Sequence, residues 1–212
     1  MSKKSFTEEC VSTIFNMANE YNIETSNAIE LFCGDGTLFS GLMSKHCDSL
    51  VGYDIEPEKE NVFYQNVKNG IFICKDSVKM MQEAQEGEVG TYHIITIDNP
   101  SCIYGNNYCE SFEIIPNLYK LMPFNEMCIL AFDIIHVPYN IDYENNQEWI
   151  KRRSQFYLTD ANMLDIEYAK DFYSQKLREQ GVDAIKMLPV CREWRDGIDY
   201  FYMLIAIVIK RK

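Results

Sequence analysis

Positive charge is scarce in this chain of 212 residues, where 20 Lys and Arg face 32 Asp and Glu for a formal net charge of -12. A protein of that sign repels polyanions, which excludes an autonomous domain that grips long duplex nucleic acid through a broad basic face and leaves only local contacts open. Long apolar runs are missing as well. The one near a terminus, Tyr202 to Ile209, is far shorter than the roughly 20 residues that cross a bilayer. Met-Ser-Lys-Lys at the start is not followed by the apolar stretch of a secretory signal. The expectation is a soluble, cytoplasmic protein with no membrane partner. No two of the 8 cysteines form a CxxC pair, so neither structural zinc nor a disulfide framework is expected, and no metal site. Cys33, Cys74 and Cys128 lie in or beside apolar segments, where reduced cysteine acts as a small core residue. Internal repeats, low-complexity tracts and linkers are absent, so a single domain over 1–212 is expected.

What is present is enough apolar material for one core, with 47% hydrophobic and 13% aromatic residues. Ser5-Phe6-Thr7-Glu8 has the form of a capping box, and Val11, Ile14, Phe15, Ala18 and Tyr21 follow at helical spacing, which predicts an opening amphipathic helix over 1–26. Short apolar runs then alternate with longer amphipathic ones. Strands are predicted at 28–33, 50–54, 70–74, 92–98 and 127–132, with helices at 37–47, 57–68, 77–85 and 108–122 between them. That alternation predicts a parallel sheet with crossover helices. A helix at 162–180 and two strands at 184–190 and 199–209, joined by a turn at Arg195-Asp196-Gly197, close the chain, and strands so joined must be antiparallel. The fold class expected is α/β, a three-layer αβα Rossmann-like sandwich on a mostly parallel seven-stranded sheet with an antiparallel C-terminal hairpin strand. The irregular, Asn- and Tyr-rich stretch 134–160 follows the fifth strand.

Glu30-Leu31-Phe32-Cys33-Gly34-Asp35-Gly36-Thr37 passes from a strand into a helix through two glycines, which lets the backbone turn tightly and approach a ligand closely. A dinucleotide loop would place a third glycine at position 39 to pack the helix and aim amides at a pyrophosphate, but Phe39 stands there. The next strand ends on Val51-Gly52-Tyr53-Asp54, and Asp54 is placed to accept hydrogen bonds from two ribose hydroxyls, with Ile55 beside it to cover an adenine face. Cys74-Lys75-Asp76-Ser77 ends the third strand; Asp76 reads either as an adenine ligand or as a helix N-cap.

Three such signals at successive strand ends resemble the class I, Rossmann-like, S-adenosylmethionine (SAM) dependent methyltransferase superfamily over about residues 27–133, with Phe32 replacing the usual first glycine of motif I. The resemblance implies SAM as cofactor and S-adenosylhomocysteine (SAH) as product. It implies a binding set of Glu30, Phe32, Gly34, Gly36, Asp54, Ile55, Asp76, Ser77 and Asp98. SAM carries an ammonium, a carboxylate and a sulfonium, so acidic residues at strand ends suit it.

Beyond the fourth strand, Asp98-Asn99-Pro100-Ser101-Cys102-Ile103-Tyr104 should face the reacting methyl, because ligands collect past the carboxyl ends of such strands. The segment loosely resembles motif IV of amino (N-) methyltransferases, which implies Asp98, Asn99, Pro100 and Tyr104 as the catalytic set, acting mostly by positioning an amine. Ser101 and Cys102 depart from the motif. Pro100-Ser101-Cys102 also resembles the Pro-Pro-Cys of cytosine C5 methyltransferases, but the matching Glu-Asn-Val is absent where Phe132-Asp133-Ile134 stands. Asp98 reads as substrate acceptor, sulfonium partner or helix cap. His136 reads as a base or a structural residue.

The stretch 134–160 is expected to form a lid over the acceptor, carrying Trp149, Lys151, Arg152, Arg153, Phe156 and Tyr157, while the last turn brings Arg192, Trp194 and Arg195 to the same edge. Trp149, Arg152, Arg153 and Trp194 are the candidate substrate residues, by charge and stacking, unless they form a solvated face with its aromatics packed inward. The expected partner is a planar amine acceptor, with an RNA or DNA base leading. A small molecule, a protein side chain, cytosine C5 through Cys102, and a non-catalytic role beside a partner subunit that recognises the substrate remain open.

Overall fold

The computed structural model describes residues 3–98, 102–104, 107–109, 113–135, 147–160, 164–195 and 198–211. Nine strands are defined among them: β1 (Asn27–Leu31), β2 (Ser49–Asp54), β3 (Gly70–Cys74), β4 (Ile94–Ile97), β5 (Cys102–Tyr104), β6 (Asn107–Cys109), β7 (Met127–Ile135), β8 (Val182–Arg195) and β9 (Ile198–Lys210). The helices are α1 (Lys3–Glu20), α2 (Phe39–Met43), α3 (Glu60–Asn66), α4 (Ser77–Glu83), α5 (Gln147–Tyr157) and α6 (Ile166–Glu179).

Seven strands form one sheet in the order β3-β2-β1-β4-β7-β9-β8. β1 pairs in parallel with β2 and β4, β2 with β3, and β4 with β7. β9 runs antiparallel between β7 and β8 and alone reverses the sheet direction. The expected fold class therefore holds, down to the reversed hairpin strand.

The strands are apolar on both faces because helices cover both. Along β9, Met203, Ile205 and Ile207 enter one core, while Leu204, Ala206 and Val208 enter the other. β7 divides the same way, Ile129 and Ala131 against Leu130 and Phe132. The first core is filled by Cys10, Val11, Ile14 and Ala18 of α1 with Phe39, Met43 and Phe63. The second is filled by Met80 and Met81 of α4, by Tyr157 of α5, and by Ala169, Phe172, Tyr173 and Leu177 of α6.

Several boundaries differ from the sequence reading. α1 already begins at Lys3, so Ser5 lies inside its first turn and does not precede it as a cap. The helix expected at 108–122 is met only in its second half, as a 3-10 helix over Ile115–Leu121 with Pro116 at its start, while its first residues belong to β6, which forms a separate antiparallel hairpin with β5. The Gly105-Asn106 pair between those strands is a turn signal that favours the hairpin. The irregular stretch is shorter than expected, because β7 runs on to Ile135 and α5 occupies 147–157.

β8 is irregular in register. Ala184 pairs with Val208 and Lys186 with Ile207, then Cys191 with Tyr202 and Glu193 with Phe201, so Ile185 and Arg192 are extra residues opposite a partner that does not lengthen. Such bulges bend a strand and re-aim the side chains they carry.

Leu130 is fully buried at the middle of the central β7. Leu130→Ala is expected to cost about 2 to 5 kcal/mol, transfer plus residual cavity, measured as a lower denaturant midpoint with an unchanged slope.

Candidate functional site

Strand order reverses at β1, since the chain proceeds from β1 outward through β2 and β3 and then returns to place β4 on the other side. Loops after β1 and β4 consequently diverge and leave a crevice at the carboxyl ends of the strands. A cavity of about 250 Å³ lies there, lined among others by Glu30, Phe32, Gly34, Asp54, Lys59 and Asp98. The fold thus brings together five of the residues expected from the sequence, and Lys59 joins them.

The loop after β1 takes a shape that its side chains alone would resist. Phe32 has φ +67° and Gly34 has φ +60°. An aromatic residue in this left-handed region is strained by about 1 to 2 kcal/mol, and it supplies the turn where a glycine would ordinarily stand. At Gly34 a Cβ would meet nothing within 4 Å, so its open side is space into which a ligand can come close to the backbone. Gly36 works differently: with φ +71°, a Cβ there would lie 2.8 Å from Val67 Cγ2 and 3.0 Å from Phe63 Cδ2, so it seats the loop on α3.

Asp54 is 7% exposed and pinned from two sides. The Gly34 N–H donates to its Oδ2 and the Glu56 N–H to its Oδ1, each at 2.9 Å, while Lys59 Nζ stands 3.5 Å away. A carboxylate oxygen accepts more than one hydrogen bond, so both remain able to take hydroxyl donors from a ligand. Ile55 beside it is 51% exposed, an apolar side chain on the rim. Asp76 caps α4, its side chain accepting from the Lys79 N–H at 2.9 Å, which is the plainer of the two sequence readings. Ser77 is buried, and its hydroxyl has no hydrogen-bond partner among the described residues.

Glu30 is almost fully buried and bonded to the Ser40 hydroxyl. Burial, reinforced by nearby Asp98, pushes its carboxyl well above the usual range, while Ser40 and Arg192 act the other way. The Ser40 hydroxyl donates to Glu30 Oε2 and also lies 3.4 Å from the Cys33 carbonyl.

Asp98 stands in an arrangement not among its three sequence readings. Arg192 Nη1 donates to Asp98 Oδ1 at 2.7 Å and lies 3.3 and 3.4 Å from the two oxygens of Asp133, with its guanidinium 5.5 Å from the Phe39 ring centre. Asp133 is fully buried, and desolvation raises its carboxyl well above the usual range, against the pull of Arg192 and with the push of Asp98. Arg192, expected at the substrate edge, is instead a 7% exposed counter-ion, aimed inward at the β8 bulge. Asp133 carried a legible signal, a single charge within an otherwise apolar strand, which must be paired or neutral once buried; Arg192 was legible at this edge but its partners were not, and Ser40 and Lys59 carried no signal.

The substrate-side residues divide. Arg152 pairs with Glu113. Arg153 is fully buried, its guanidinium 5.2 Å from the centre of the Tyr157 ring, so it belongs to the packing of α5 and not to an open binding face. Phe156 and Tyr157 are packed against Phe172 and Tyr173, with the Tyr157 and Tyr173 hydroxyls 2.6 Å apart. Trp149, Trp194 and Tyr104 lie on described backbone in α5, β8 and β5. Asn99, Pro100 and His136 lie outside the described residues. No group of His, Cys, Asp and Glu able to hold a metal occurs among the described residues, and no helix among them is long and apolar enough to cross a membrane.

No family model matches the chain, and no curated protein matches its sequence. Solved structures do match in fold. The N-methyltransferase NodS from Bradyrhizobium japonicum WM9 aligns over 98% of both chains with TM-score 0.57 at 11% identity. The plantazolicin methyltransferase BamL, in complex with a triazolic desmethylPZN analog and SAH, aligns over 98% of this chain and 85% of its own with TM-score 0.59 at 14% identity. The magnesium protoporphyrin IX methyltransferase ChlM from Synechocystis PCC 6803, with bound SAH, aligns over 97% and 83% with TM-score 0.56 at 14% identity. The chain has the class I SAM methyltransferase fold.

Because Glu30 has a raised folded-state pKa, the native state holds a proton that the unfolded chain releases. The stability this contributes is present below the unfolded value of about 4.3 and is lost as pH rises through the folded pKa. Glu30→Gln is expected to flatten the fall of unfolding free energy between pH 5 and 8 by as much as one proton of slope; identical slopes in denaturation series would show Glu30 to be ionised in the native state.

Proposed function

We propose that the chain is a SAM-dependent methyltransferase, with SAM seated in the cavity at the ends of β1 and β2 and the methyl acceptor approaching past β4. The observation that carries the reading is the cavity at the reversal of strand order, where Gly34 leaves the backbone open beside Asp54 and Asp98 lines the far side. The residues fit the cofactor. Asp54 would accept from the ribose hydroxyls, Ile55 would cover the adenine, and the buried Ser77 hydroxyl, which lacks a partner among the described residues, and Asp76 would meet its edge. When bound, SAM supplies a methyl group on a cationic sulfur.

Asp98 is held by Arg192 rather than left to rotate, so it presents a fixed acceptor oxygen beside the cavity. Orientation of this kind, together with Asn99-Pro100 and Tyr104 that follow Asp98 in sequence, would position an amine rather than activate it covalently. We take a planar amine, a nucleobase among the candidates, as the acceptor class. Support comes from motif IV and from the name of one fold neighbour, an N-methyltransferase. The cavity lining carries more acids than cations, with Asp35 beside the Asp54–Lys59 pair and Asp98 sharing Arg192 with Asp133, and a lining of that sign suits a cationic sulfur. Residues 134–160 remain our proposed lid, with α5 as its fixed part, since Phe156 and Tyr157 anchor it to α6.

SAM and SAH should each raise the melting temperature, as ligands of the native state must. Asp54→Asn keeps the size of the group but turns an NH2 toward one of the two backbone N–H donors, Gly34 or Glu56, and should weaken SAM binding by roughly 1 to 3 kcal/mol through loss of charged hydrogen bonds, read by calorimetry with circular dichroism unchanged. Undiminished SAM binding in this variant removes Asp54 from the ribose site, and no SAM binding by wild type removes the cofactor. Transfer of labelled methyl to fractionated RNA, DNA, protein and metabolite pools then identifies the acceptor.

A further inference from the structure

Asp98, Asp133 and Arg192 form an unusual group: two carboxylates at the ends of neighbouring strands share a single guanidinium nitrogen. Both carboxylates reach the same nitrogen, at 2.7 Å from Asp98 and 3.3 and 3.4 Å from Asp133, so the two acids are close neighbours. Two acids this close repel when both are ionised, and a single proton held between them relieves that repulsion. One member of the pair is fully buried, and the other lines the cavity.

Resting on the cofactor reading above, we propose that Asp98 and Asp133 act as a single proton store whose occupancy is set by the charge in the cavity: seating a cationic sulfonium expels the shared proton, and a neutral thioether lets it stay. The pair titrates as a unit, so a positive charge brought beside Asp98 lowers the proton affinity of both members. Arg192 keeps the group from being fully protonated beforehand, and its position at the β8 bulge fixes it between the two strands. Other groups face the pair. Glu30 on β1 is near, but it is engaged by the Ser40 hydroxyl; Cys10 of α1 holds a neutral thiol, raised by burial; Asp54 on β2 is engaged with Gly34, Glu56 and Lys59. With SAM seated the store is empty, and the pair then has room for the proton that an amine acceptor must give up.

The test needs no acceptor. Calorimetric titrations of the full chain with SAM and with SAH, each in buffers of different ionisation enthalpy at pH 7, count the protons exchanged on binding. SAM should release roughly one proton more than SAH, and Asp133→Asn should abolish the difference while still binding both ligands. Glu30→Gln should preserve it. Infrared difference spectra of wild type, independent of any variant's folding, should lose a protonated-carboxyl band with SAM and keep it with SAH. Equal release by the two ligands, or a difference that survives Asp133→Asn and vanishes in Glu30→Gln, overturns the proton store while leaving the cofactor reading intact. Failure of both ligands to bind overturns both.

Discussion

Burial of negative charge is the constraint on which this molecule turns. Parallel pairing of β1, β4 and β7 sets their carboxyl ends side by side, and each end carries an acid, Glu30, Asp98 and Asp133. Three ionised carboxylates in one low-dielectric space would each cost several kcal/mol. Among the described residues Arg192 bridges Asp98 and Asp133, while burial pushes the carboxyls of Glu30 and Asp133 well above the usual range, toward the neutral form. The β8 bulge is what makes the arrangement possible, because Arg192 is the residue that the ladder with β9 skips.

The other half of the site depends on backbone shape more than on charge. Phe32 and Gly34 both take left-handed conformations, which carries the chain from β1 back over the end of β2, where the Gly34 N–H reaches Asp54. Asp54 is thereby fixed before any ligand arrives, and a preorganised acceptor loses less entropy on binding than a free one. Strain at Phe32 is tolerated because the segments around it are fixed, Gly36 against Val67 and Phe63 and the Cys33 N–H on the Tyr53 carbonyl at 2.9 Å.

What could be read from sequence was whatever is local. Glu30 to Gly36, Asp54 and Asp98 sit where a strand gives way to a loop, and the strand itself is visible as an apolar run, so their convergence follows from the order of the elements. Asp76 was legible as a cap for the same reason, its partner Lys79 being three residues on. The pairing of Asp133 with Arg192 spans 59 residues and depends on a bulge, and neither periodicity nor spacing encodes a skipped residue. The β5-β6 hairpin was missed because three-residue strands are too short to show alternation. The run Lys151-Arg152-Arg153 was ambiguous in sequence, since a helix turns adjacent basic residues to different faces, and here one is paired with Glu113 while the next is buried.

That last division bears on the acceptor. A phosphate-bearing substrate would need several exposed cations with free hydrogen-bond capacity on the acceptor side, and the described residues place Arg152 in an ion pair, Arg153 in the core of α5 packing and Arg192 between two aspartates, with Lys151 the exposed member of its run. Electrostatic attraction to a polyanion by an already acidic chain is weakened accordingly. Recognition of a nucleobase would then rest on stacking and on hydrogen bonds to its amine, with little help from its backbone. Those are also the contacts by which a free heterocyclic amine would be held, so the same physics that favours an amine acceptor gives a small heterocycle an equal claim to one embedded in a nucleic acid.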